Sequence, residues 1–166
     1  MKINIVLFEP EIPQNTGNIA RTCAATASEL HLVGPLGYSI DEKHVKRAGL
    51  DYWDAVDIFQ YDDIASFMSQ HGSENLLFFS TKARTCFTEI DYQKKDDVWL
   101  VFGKESAGIP EEILKDNSDR CVRIPMINDT RSLNLSNSVA IAVYEVLRQN
   151  GFQGMTMKGS LHRLSW

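Results

Sequence analysis

The chain has 166 residues, 43% of them apolar, a size and composition that fit one soluble domain with a packed core. Its formal charge of −5 argues against a generic nucleic-acid binder, because phosphate binding depends on clustered Lys and Arg; any RNA contact is expected to be local. The opening MKINIVLFEPEIPQ holds only a short apolar run before Glu9, Pro10 and Glu11, which fits neither a signal peptide nor a membrane span and predicts a cytoplasmic protein.

Lys2 to Phe8 reads as a strand, followed by the loop EPEIPQNTG and a stretch with helical spacing. Leu30 to Val33 is a second strand, Asp41 to Ala48 a helix, and Ala55 to Tyr61 a strand. Asp62 to Gln70 is a helix with Ile64, Phe67 and Met68 turned inward, and Leu76 to Ser80 a strand. After an irregular segment come the strand Val98 to Phe102, a glycine-bearing turn, a short helix from Pro110, a strand at Cys121 to Ile124 and a long helix from about Leu135 to Gln149. Strands alternating with helices imply an α/β fold with a mainly parallel sheet. No linker or repeat divides the chain, so one domain is expected over residues 1–150, with a tail over 151–166 that carries Leu161, Leu164 and Trp166.

The last helix is apolar on more than one side. Leu135, Val139, Val143 and Leu147 make one stripe, and Ile141 and Tyr144 extend the apolar surface to another. Such a helix lies between two surfaces, and in a protein this small the second is expected on another subunit, with Tyr144 in a dimer interface. Cys23, Cys86 and Cys121 are far apart with no CxxC pair, which predicts reduced, buried thiols and no zinc site. Basic residues gather at Lys43 to Arg47 and at Lys158 to Arg163, and solvated faces suffice to explain both.

Three polar, glycine-bearing segments each sit where a strand ends, the place where open parallel sheets bind ligands. In the first, Asn15-Thr16-Gly17-Asn18-Ile19-Ala20-Arg21, Asn15 or Thr16 can cap the helix, and Arg21 lies one turn on, within reach of the same strand end. A helix cap plus a surface arginine explains this segment equally well. In the second, Phe102-Gly103-Lys104-Glu105-Ser106-Ala107-Gly108-Ile109-Pro110, Gly103 lets a ligand approach the backbone and Gly108 permits a turn with positive φ. The spacing matches neither GxGxxG nor GxxxxGK[ST], and a plain strand-turn-helix connection remains open. The third runs from Ile124 to Asn137 into the long helix, and Ser132, Asn134, Ser136 and Asn137 crowd a start that one cap residue would satisfy.

NTGNIAR, FGKESAGIP and IPM…SLNLSNSVAIAVYE, in this order, resemble the three motifs of the SPOUT RNA ribose methyltransferases. The likeness spans Ile3 to Arg148. The opening IVLFEPEIPQNTGNIAR and RAGLDYW at Arg47 to Trp53 are most similar to the small single-domain branch that modifies the tRNA wobble nucleotide, the TrmL branch. The resemblance implies a mainly parallel sheet with helices on both faces, a C-terminal deep trefoil knot and a homodimer with a shared active site. It implies S-adenosylmethionine as cofactor, without a metal, held around Phe79, Ser80, Thr81, Gly103, Ile124, Met126, Ser132 and Leu133. It also implies a catalytic set of Arg21, Asn15, Glu105, Ser132 and Asn134, with the anticodon loop of tRNA as partner and cytidine or uridine 34 as target. Arginine is a poor base, so the role implied for Arg21 is to orient the ribose 2′-OH and its phosphate, with Glu105 holding Arg21 or an RNA group. Phe79-Ser80 stands where the branch more often has leucine and threonine. Ribose methylation of another tRNA or rRNA nucleotide, and a non-catalytic knotted RNA-binding dimer, are the alternative readings.

Overall fold

Seven short strands pair into one sheet in the computed structural model of the chain, which describes residues 1–39, 53–93, 95–127 and 132–164. They are β1 (Lys2–Phe8), β2 (Glu29–Val33), β3 (Ile58–Tyr61), β4 (Leu76–Phe79), β5 (Thr85–Cys86), β6 (Asp97–Phe102) and β7 (Cys121–Arg123). Their order is β3-β2-β1-β6-β4-β7-β5, and every pairing is parallel. β1 and β6 form the centre, in register from Lys2 against Asp97 to Leu7 against Phe102. Central parallel strands are covered on both sides, which is why β1, β4 and β6 read as nearly unbroken apolar runs.

Alternate residues serve two cores. Ile3, Ile5, Leu7, Val98, Leu100 and Phe102 face one side, packed with Ile19, Ala20 and Cys23 of α1 (Pro13–Thr26) and with Val139, Val143 and Val146 of α4 (Leu135–Gln149). Val6, Phe8, Phe78, Trp99 and Val101 face the other, under Phe67 of α2 (Ile64–His71) and Leu114 of α3 (Glu111–Asp116). Helices therefore cover both faces, as expected.

Several boundaries differ from the sequence expectation. The strand expected from Ala55 begins at Ile58, because Trp53–Ala55 forms a single 3-10 turn. The helix expected from Asp62 begins at Ile64, since the Asp63 carboxylate accepts the Ser66 N–H at 2.7 Å and so serves as its N-cap. The irregular segment contains β5, whose two residues pair with β7. Cys23 and Cys121 are buried thiols, whereas Cys86 is only half-buried. The helix expected over Asp41 to Ala48 and the basic cluster Lys43 to Arg47 lie outside the described residues. After α4, Phe152 and Met155 still pack on the core, and residues 156–164 are exposed. Among the described residues no helix is long and apolar enough to cross a membrane.

Candidate active site

A cavity of about 680 Å³ opens at the carboxyl ends of the strands. Its walls come from the segments that follow β4, β6 and β7, with Ile12 and Asn15 arriving from the start of α1. Phe79, Ser80, Thr81, Gly103, Ile124, Met126, Ser132 and Leu133, named as cofactor residues from the sequence, all line it, as do Asn15, Glu105 and Asn134. Arg21 does not line the cavity of its own chain; it is exposed on the outer face of α1. Tyr144 is also away from it, 45% exposed on α4. Sequence reasoning did not name Lys82, Phe102, Ala107 or Ile109 as site residues, and they too line the walls, with Ile12, Lys104, Ser106, Gly108, Leu135 and Ser138. Of these, Phe102 was legible as the last apolar residue of a strand that runs into the glycine-bearing turn.

The polar wall is a chain of hydrogen bonds through all three motif segments. The Glu105 carboxylate accepts the backbone N–H of Glu11 at 2.9 Å, that of Ile12 at 3.3 Å and the Asn15 amide at 2.9 Å. Asn15 in turn accepts from the Asn134 side-chain amide at 2.9 Å. The other end of Asn134 caps α4, its Oδ1 accepting from the Ser136 N–H at 3.0 Å, the Ser136 hydroxyl at 2.7 Å and the Asn137 N–H at 3.3 Å. These bonds revise the expected start of α1. The helix begins at Pro13, with Ile12 as N-cap and no side-chain cap of its own; the exposed N–H groups before it are served by Glu105 instead. Asn15 and Thr16 lie inside the first turn and are buried. The Glu105 carboxylate is thereby engaged with the backbone and Asn15 of its own chain.

Gly103 also has a different reason from the expected one. A Cβ there would stand 2.1 Å from the Gly108 carbonyl carbon and 2.2 Å from the Ile109 nitrogen, so it is the loop's own backbone that needs the space. The neck is closed by the Gly108 N–H donating to the Lys104 carbonyl at 2.8 Å, and Gly108 has φ +73, the positive value expected of it.

Among the described residues, both lysines that line the cavity are paired. Lys104 Nζ is 2.6 Å from Glu9 Oε2, and this bond raises the Lys104 pKa above the usual lysine range. Lys82 Nζ is 2.7 Å from Glu111 Oε1 and lowers that carboxyl's pKa. The Ser106 hydroxyl and N–H do the same for Glu11. Tyr38, hydrogen-bonded to Thr16, is pushed up to about 12 by burial. Among the described residues no cluster of His, Cys, Asp and Glu is placed to hold a metal ion.

The model of the SpoU rRNA methylase family matches residues 2–144 of this chain. The chain belongs to the SpoU methylase family. A relative from Photorhabdus asymbiotica, named tRNA (cytidine(34)-2′-O)-methyltransferase, is 46% identical over 94% of this chain and 99% of its own. A solved structure reported for the 2-OH methylation of C/U34 on tRNA superposes with a TM-score of 0.83 at 40% identity, over 92% of this chain and 98% of the other. A solved AdoMet-bound rRNA methyltransferase from Sinorhizobium meliloti superposes with a TM-score of 0.77 at 26% identity, over 89% of this chain but only 56% of the other. The fold is thus shared by proteins of different total length.

Proposed function

We propose that this SpoU methylase transfers the methyl group of S-adenosylmethionine to the ribose 2′-OH of cytidine or uridine 34 in tRNA. One observation carries the reading: the three motif segments converge on one cavity and are tied together by the Glu105–Asn15–Asn134 chain of hydrogen bonds. The near-complete coverage of relatives named for nucleotide 34 supports that target over a larger rRNA substrate.

The cavity suits the cofactor. Its volume is in the range of small-molecule sites, Phe79, Phe102, Ile109, Ile124, Met126 and Leu133 supply apolar surface, and Ala107 and Gly108 leave backbone open to an adenine or amino-acid moiety. When bound, S-adenosylmethionine supplies an electrophilic methyl on a sulfonium centre. The chain must then present the ribose hydroxyl and assist loss of its proton. Asn15, held by Glu105 and Asn134, positions the reacting groups, with Ser132 and Asn134 beside it. Arg21 is assigned to orienting the 2′-OH and the adjacent phosphate with its planar fork of donors.

Arg21 can act only where a cavity faces it, and we place it in the site of a second subunit. Ile141 and Tyr144, 40% and 45% exposed, form an apolar face on α4, and Ile12 and Leu133 add exposed apolar area at the cavity rim. A homodimer that covers this surface would bring the partner's arginine to the cavity. In this reading residues 1–150 are the methyltransferase unit, 151–166 a tail, and the segment into α4 threads a preceding loop to make the family's trefoil knot. The protein works in the cytoplasm on the anticodon loop of tRNA.

The test is to incubate the protein with methyl-labelled S-adenosylmethionine and unmodified tRNA, digest the product and locate the label by mass spectrometry. Label on the ribose of nucleotide 34 is expected. Label on a base, or on another nucleotide, would refute the assignment.

A further inference from the structure

The loop between β6 and α3 is held from behind by a residue outside the cavity. Glu11 lies in the segment between β1 and α1 and lines a smaller cleft with Glu9, Pro35, Leu36, Gly37 and Lys104. Its carboxylate takes both donors of Ser106, the N–H at 2.9 Å and the hydroxyl at 2.8 Å. The exchange is reciprocal, since the Glu11 N–H donates to Glu105 at 2.9 Å. Each acid therefore serves a backbone N–H of the other's segment. An acid with only a local capping role would bond the N–H groups of its own helix entrance, whereas here those groups are served by the distant Glu105 and the Glu11 carboxylate reaches Ser106.

The Glu11 backbone is itself fixed. A Cβ on Gly37 would come within 2.9 Å of Glu11 Cα, and the Gly37 N–H donates to the Pro10 carbonyl at 3.0 Å, so the 34–38 loop packs directly behind it. On the other side of Ser106, Ala107 and Gly108 form cavity wall, and the tip between Lys104 and Gly108 is held to the α1 entrance by Glu105 and by the Ser106–Glu11 pair.

We propose that Glu11 is a positioning residue of the methyl-transfer reaction: through Ser106 it sets the shape of the cavity wall at 106–108 and thereby the affinity for S-adenosylmethionine. This rests on the cofactor reading of the cavity given above. Both Ser106 donors point at Glu11, so a carboxylate is the natural acceptor. A glutamine can still satisfy the pair, its carbonyl accepting the N–H and its amide donating to the hydroxyl oxygen. Aspartate is one methylene too short to span the gap.

The experiment measures S-adenosylmethionine affinity by calorimetry, and steady-state tRNA methylation, for Glu11→Ala, Glu11→Gln, Glu11→Asp, Ser106→Ala and the double alanine variant. Glu11→Ala and Glu11→Asp should weaken cofactor binding about tenfold, the scale of a lost charge-assisted pair, with KM for the cofactor rising more than kcat falls. Glu11→Gln should recover most of the loss. Glu11→Ala and Ser106→Ala should be non-additive, because Ser106→Ala removes the hydroxyl bond, one of the two that Glu11→Ala removes together. Wild-type cofactor affinity in folded Glu11→Ala, or strict additivity in the double variant, would overturn the proposal. If Glu11→Ala fails to fold, Glu11→Asp decides it instead, since it draws the carboxylate away from both Ser106 donors and unchanged affinity there is equally contradictory. Failure of the wild-type protein to bind S-adenosylmethionine would instead sink the cofactor reading, so the two failures are distinct.

Discussion

The Asn134 side-chain amide donates to the Asn15 side-chain carbonyl at 2.9 Å across 119 residues of chain, and the same Asn134 caps the longest described helix with its other end. One residue thus couples the stability of α4 to the placement of a group in the cavity wall.

The two jobs of Asn134 are separable. Asn134→Ala removes the cap and the link, and should cost about 1 kcal/mol of stability together with most activity. Asn134→Asp keeps an acceptor for the α4 N–H groups but has no donor for Asn15, whose own amide is committed to Glu105. Thermal melts should show the aspartate variant near wild type while methylation falls at least about tenfold, the scale of a displaced positioning group. An aspartate variant with full activity would show that the link is not used.

Gly103→Ala should damage both fold and site. The added methyl would meet the Gly108 and Ile109 backbone at 2.1–2.2 Å, and backbone cannot rotate away as a side-chain tip can. A fall in Tm of several degrees with weaker S-adenosylmethionine binding is expected, on the scale of about 1–3 kcal/mol of overpacking strain. An unshifted Tm would contradict the closed neck.

These two sites show how much the sequence carried. β1, β4, β6 and α4 were legible because burial imposes long apolar patterns on them. Gly103, Ile124, Met126 and Leu133 were legible from the motif segments, and Phe79, Ser80 and Thr81 only through the family resemblance those motifs carry. The start of α1 was not, because its N–H groups are served by Glu105, 94 residues from Glu11, and local capping signals cannot register a distant partner. Nor was the role of Glu11: an acid between two prolines in a loop reads as solvated, and nothing local points to Ser106. β5 has two residues, too few for any periodicity.

Acid should destabilise the protein through His31. Burial holds the folded-state pKa at about 3, well below the ordinary 6.5, with the charges of His71 and Lys2 adding to the effect. The unfolded chain then binds a proton first as pH falls. Stability from the neutral ring is present above pH 6.5 and is lost progressively below it, at up to about 1.4 kcal/mol per pH unit. The ring bonds Tyr61 OH at 3.0 Å and Asn4 Oδ1 at 3.4 Å, so His31→Phe should be less stable at pH 7. Its denaturation midpoint should nevertheless change less between pH 6.5 and 5 than the wild type's. Equal pH slopes in the two proteins would show that His31 is not the titrating group.

Light scattering should give a mass near twice the 18.8 kDa chain, and Tyr144→Asp should shift the protein to monomers without tRNA methylation, because a carboxylate is costly to desolvate in an apolar interface. A wild-type monomer, or an active monomeric variant, would remove the shared site and with it the proposed place of Arg21.

The central claim is that the acceptor is one hydroxyl, the ribose 2′-OH of nucleotide 34. The most direct measurement is single-turnover methylation, with saturating enzyme and cofactor, of two tRNAs identical except that one carries 2′-deoxyribose at position 34. The ribose-34 substrate should accept one methyl group, and the deoxy-34 substrate none while still binding and competing. Equal methylation of the two would contradict the account.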